Sequence, residues 1–128
     1  MDKTTMVNFD IDRGARIIEA LDRAKVKTGV ALWAYLSEYD DWRLILSGRQ
    51  FDSPDLRDAF RLLHESLAPS GLTAQQTPPI LILPTRDRFV RDLRRIFGKT
   101  RSTEGMRLGN QMIGDRFVED AYVYRIAP

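Results

Sequence analysis

Cysteine is absent from the 128 residues, which excludes disulfide frameworks and thiol nucleophiles and removes the commonest ligands of structural zinc. Histidine occurs once, as His64, so a His-rich metal centre is excluded and no metal site is expected. No stretch approaches the roughly 20 apolar residues that a membrane-spanning helix needs. The opening MDKTTMVNFDIDR lacks the apolar core of a secretory signal, and the expected location is the cytosol, without membrane contact. Internal repeats and low-complexity segments are also missing. Ser47-Gly48, Ser70-Gly71 and Gly109-Asn110 show neither phosphate-loop spacing nor a nucleophile elbow. Nucleotide hydrolysis and acyl transfer therefore have no support, no cofactor is expected, and no catalytic residue is assigned.

The composition that remains is that of a folded chain. It is 43% hydrophobic and 30% charged, far from the balance that keeps chains disordered. A length of 128 residues suits one unaided core, and residues 1–128 are read as a single domain. Ile11, Gly14, Ala15, Ile18 and Leu21 share one face of a helix that starts after Asp10 or Asp12 and runs to about Lys27, ended by Thr28 and Gly29. VALWAYL (residues 30–36) is apolar on both alternating faces, as an inner strand requires, and WRLILS (residues 42–47) reads as its antiparallel partner. Ser53-Pro54 predicts a helix start, with Leu56, Ala59, Phe60, Leu63 and Leu67 on its apolar stripe.

TAQQT (residues 73–77) reads as a loop, and Pro79 to Leu83 as a short buried strand. Pro84-Thr85 opens a third helix to about Phe97, with Phe89, Val90, Leu93, Ile96 and Phe97 facing inward. The tail folds into two strands about a tight turn at Gly114-Asp115. The predicted fold class is α+β: a mixed, mainly antiparallel sheet of about five strands with three helices, in the order α-β-β-α-β-α-β-β.

Twenty basic residues nearly balance eighteen acidic ones, but the excess is local. Residues 86–101 hold seven bases and two acids. At 100° per residue, Arg88, Arg91, Arg95 and Lys99 fall within about 80° of one another, opposite the apolar face of the third helix. Such a rail can meet the phosphates of a nucleic-acid backbone, with Arg94 and Arg101 widening the contact. Asp87 and Asp92 interrupt the run, and an arginine-rich solvated face is its plainer explanation.

Other candidates are weaker. Glu119-Asp120 could share acid–base duties only where a bulge turned both carboxylates to one side of a strand. His64 lies at the margin of an apolar stripe, with no orienting carboxylate evident. In the first hairpin Trp33, Tyr35 and Ile45 are expected on one face, with Leu32, Ala34, Leu36, Trp42, Leu44 and Leu46 on the other. If all three helices cover one side of the sheet, the Trp33–Tyr35–Ile45 face becomes an exposed patch for a protein partner or a second copy; if they cover both, it is core.

ALWAYLSEYDDWRL (residues 31–44) and VEDAYVYRI (residues 118–126), with GARIIEAL before them, resemble a group of small bacterial proteins of unknown function. The resemblance covers most of the chain, implies a bacterial, cytoplasmic origin, and attaches no activity to any residue. The expected role is a small non-enzymatic protein-interaction module able to pair with itself. The alternatives are a nucleic-acid-associated protein using Arg88, Arg91, Arg95 and Lys99, and an enzyme whose site, built around Glu119, Asp120 and distant arginines, converges only in three dimensions.

Overall fold

Ile17, Ile18 and Leu21 recur at helical spacing on α1 (Asn8–Arg23), and all three are buried against a sheet. The computed structural model describes residues 8–73, 77–99 and 103–127. After α1 come β1 (Val30–Leu36), β2 (Asp41–Ser47), α2 (Leu56–Leu67), β3 (Ile80–Ile82), α3 (Arg88–Phe97), β4 (Arg107–Ile113) and β5 (Arg116–Ile126). The strands form one open sheet in the order β3-β2-β1-β5-β4, antiparallel except for the parallel β2–β3 pair. The expected order of elements and the mixed, mainly antiparallel sheet are both present.

β1 is central and buried along its whole length. Its two-sided apolar character follows from helices on both faces: α1 and α2 cover Ala31, Trp33 and Tyr35, while α3 covers Val30, Leu32, Ala34 and Leu36. Because directly opposite residues of an antiparallel pair share a face, Trp33↔Leu44 and Tyr35↔Trp42 put those four side chains together, and Leu32↔Ile45 puts Ile45 on the α3 side. The expected grouping of Ile45 with Trp33 and Tyr35 is therefore corrected. Trp33, Tyr35 and Ile45 are all interior, at 3%, 2% and 0% exposure respectively, so they form no exposed patch.

Local chemistry moves several predicted boundaries. α1 stops at Arg23, short of Lys27, because Lys25 turns left-handed (φ 62°). The Lys25 N–H then bonds the Asp22 carbonyl at 3.0 Å and the Val26 N–H bonds the Leu21 carbonyl at 2.9 Å, the paired closure of a Schellman cap with Val26 folded onto the core. α2 is capped by Asp55, not Ser53: its carboxylate accepts the Arg57 N–H at 2.9 Å, and this bond together with the Arg57 side chain holds it below its ordinary pKa. Leu56 then points outward, at 58% exposure, and leaves the predicted stripe.

α3 likewise begins after Asp87, which accepts the Phe89 N–H at 2.8 Å. Pro84 and Thr85 precede it in the β3–α3 connection, where the Thr85 N–H is bonded by Asp52 at 2.9 Å. Ile96 is exposed, and Phe97 only partly buried. The tail hairpin turns at Gly114 (φ 60°) as expected, while Asn110 within β4 is also left-handed (φ 51°), with the β4–β5 register the same on either side of it. Residues 74–76 of the predicted TAQQT loop lie outside the described residues. No helix among the described residues is long and apolar enough to cross a membrane.

The β1–β2 connection carries a pH-sensitive tie. Tyr35 donates to the Asp40 carboxylate at 2.7 Å, and this bond, then burial, pushes its phenol up to about 12 from 10.0. A raised tyrosine favours the folded state fully below pH 10 and loses that contribution as pH climbs to about 12. In urea melts the stability difference between wild type and Tyr35→Phe is expected to hold below pH 10 and shrink toward pH 12. A difference unchanged across that window would show that the tie does not titrate this way.

Candidate anion-binding cleft

β2 and β3 run parallel and end on the same side of the sheet, beside the start of β1. Between those strand ends and α3 lies a cavity of about 340 Å³, within the usual range for a small-molecule site. Its floor is Val30 and Val90, both essentially fully buried. Three cations line it from three separate segments: Lys27 from the α1–β1 loop, Arg49 from the 3₁₀ turn Arg49–Phe51, and Arg94 from α3. No carboxylate is among the lining residues.

The loops that carry these charges are bound to each other. The Gln50 side-chain carbonyl accepts the Lys27 N–H at 2.9 Å, its amide donates to the Lys25 carbonyl at 3.3 Å, and the Gly29 N–H reaches the Ser47 carbonyl at 2.9 Å. Gly48 passes so close to the neighbouring loop that a Cβ there would lie 2.2 Å from the Lys27 carbonyl oxygen. On the other wall, Asp52 accepts both the N–H and the hydroxyl of Thr85, fixing the β3–α3 connection. Arg94 Nε donates to the Ala127 carbonyl at 3.3 Å, tying α3 to the end of β5.

Ser47 is 1% exposed, and its hydroxyl has no hydrogen-bond partner among the described residues. It pairs with Val30, so its side chain lies on the α3 side of the sheet, where the cavity opens. A buried hydroxyl without a partner is costly in a folded protein and calls for a reason.

The predicted basic rail adjoins this cleft. Arg88, Arg91 and Arg95 are exposed on α3, and Lys99 is exposed two residues beyond its end, in a turn instead of a continued helix. Arg95 is paired with Asp92 at 3.4 Å, and Asp92 also accepts the Gly114 N–H at 2.9 Å. Arg88, Arg91 and Lys99 have no ion-pair partner among the described residues. Arg94 lies between the two regions, lining the cleft and also a shallow depression with Arg91 and Arg95. Arg101 lies outside the described residues.

The remaining candidates separate. The register of β5 against β1 shifts beside Glu119, the bulge that the paired acids required, but Asp120 is committed to Arg107 at 2.6 Å. Among the described residues no three His, Cys, Asp or Glu side chains gather to hold a metal. His64 is exposed and stacks on Phe60. The cleft itself escapes a sequence reading because its cations sit on different loops, each innocuous alone; Ser47-Gly48 was visible only as a failed phosphate-loop pattern. Comparison with protein-family models, with curated proteins and with solved structures found no match.

Proposed function

We propose that the protein is a non-enzymatic binding module that engages nucleic-acid backbone through the outer face of α3. What supports this reading is the exposure of Arg88 and Arg91 on a helix whose other face is locked into the core, and of Lys99 in the turn just after it, all without carboxylate partners among the described residues. Arg88 to Arg95 spans about 10 Å of helix axis, room for more than one phosphate contact. The nearby aromatic Phe89 is fully buried and Phe97 partly so, so base stacking is not offered and the binding is expected to be salt-sensitive and indifferent to sequence.

Fluorescence anisotropy with labelled duplex DNA and RNA tests the proposal. The double reversal Arg88→Glu with Arg91→Glu is expected to weaken binding of every sequence and to lower the salt slope by about 2. Absence of binding at low salt, or a double variant that binds like wild type, ends the reading.

A second reading, association with another copy, rests on the other end of the sheet. β4 is an edge strand, and Met112 and Phe117 face each other across its hairpin at 59% and 39% exposure. It expects a concentration-dependent dimer in sedimentation that Met112→Lys abolishes. A monomer at all micromolar concentrations removes it.

A further inference from the structure

The cleft holds what a polyanion groove would not need: an enclosed apolar floor and a buried donor. From Lys27, Arg49, Arg94, Ser47, Val30 and Val90 we infer that it is a binding site for a small organic phosphate, a phosphomonoester with an apolar body. This does not rest on the nucleic-acid reading, since Arg88, Arg91 and Lys99 do not line the cavity.

Charge sets the head group. Lys27 and Arg49, brought to one cavity without a lining carboxylate, repel one another until an anion enters, and a doubly charged phosphate matches two cations better than a carboxylate does. Arginine also presents its donors in a planar fork suited to phosphate oxygens. Neither the Lys27 ammonium nor the Arg49 guanidinium has an ion-pair partner among the described residues, so both are available without breaking an existing bond.

The orphan hydroxyl sets the position of that group. Ser47 Oγ is the one buried donor at the cavity for which the fold provides no acceptor among the described residues. A phosphate oxygen completes it, while the ester substituent lies over Val30 and Val90. The frame is assembled in advance, because Gln50 and Asp52 already hold the loops on either side. Preformed geometry lets binding proceed without the cost of ordering those loops.

Calorimetric or NMR titration of the full chain with phenyl phosphate, inorganic phosphate and benzoate tests each element. Phenyl phosphate is expected to bind at least roughly tenfold tighter than either fragment probe, since each lacks one half of the recognised chemistry. Arg49→Glu, an exposed position, is expected to abolish phenyl phosphate binding, and Ser47→Ala to weaken it roughly tenfold without lowering the melting temperature. The Arg88→Glu, Arg91→Glu double variant is expected to bind phenyl phosphate like wild type, which separates failure of this site from failure of the α3 surface. No phenyl phosphate binding by the wild type, equal binding of benzoate, or unchanged binding by both Arg49→Glu and Ser47→Ala would overturn the assignment.

Discussion

Replacing Trp33 with alanine is expected to destabilise the fold by about 3–5 kcal/mol, the range for emptying a buried aromatic site. The indole is 3% exposed between the sheet and α1. Its N–H faces two acceptors, the Asp10 carbonyl at 3.2 Å and the Tyr124 hydroxyl at 3.0 Å, and Tyr124 in turn donates to the Ile11 carbonyl at 2.5 Å. Burial raises the Tyr124 phenol far above its usual pKa, so it stays a neutral donor. Gly14 lets α1 approach this cluster, since a Cβ there would lie 2.3 Å from the Tyr124 oxygen and 2.7 Å from the indole nitrogen.

Removing the indole therefore opens a cavity and takes away the donor that the Asp10 carbonyl and the Tyr124 hydroxyl share. Urea denaturation is the measurement, read as a lower midpoint at unchanged slope. An alanine variant within about 1 kcal/mol of wild type would mean that Trp33 is surface-like, the outcome expected of a partner-binding residue and not of a core one.

That contrast marks where sequence reasoning stops. The two-sided apolar run of β1 identified an inner strand, and the stripes of α1, α2 and α3 identified one-sided helices; both follow from periodicity alone. Which residues of β1 and β2 share a face does not, because it depends on the register set by the connecting loop. Pairing Trp33 with Leu44 puts odd positions of β1 beside even positions of β2, and a slip of one residue would have produced the predicted set. The end of α1 was hidden for a related reason: the left-handed position is filled by Lys25, where glycine would have announced it.

The basic face of α3 was readable because its charges recur at helical spacing within one element. The cleft was not, because its recognition chemistry is distributed over three connections, and only the parallel ending of β2 and β3 beside β1 brings them together. A sequence pattern registers spacing along the chain. A cavity registers which chain ends meet, and here those meetings depend on single side chains such as Gln50 and Asp52.

Gly48 is the position where fold and cleft depend most directly on one residue, and Gly48→Ala is expected to cost about 3 kcal/mol or more. Its backbone is extended (φ −171°) and would accept any residue; the obstacle is the neighbour. The added methyl would sit 2.2 Å from the Lys27 carbonyl oxygen, 3.3 Å from its carbon and 3.4 Å from Thr28 Cα. These are backbone atoms that cannot swing aside as a side chain can. Relief requires the α1–β1 loop to move off β2, which breaks the Gly29–Ser47 bond and loosens the Gln50 bridge to Lys25 and Lys27. Each hydrogen bond lost adds about 0.5–1.5 kcal/mol to the overpacking cost of about 1–3 kcal/mol. For a chain of this size the melting temperature is expected to fall by about 10 °C or more. Ser47→Ala, one residue away, removes a hydroxyl that bonds nothing among the described residues, so it is expected to leave the melting temperature unchanged or raise it. Opposite stability effects at adjacent positions separate the two roles: Gly48 holds the wall of the cleft in place, and Ser47 serves what enters it. Equal losses at both would mean that the Ser47 hydroxyl is structurally bonded and that the strand end tolerates no change.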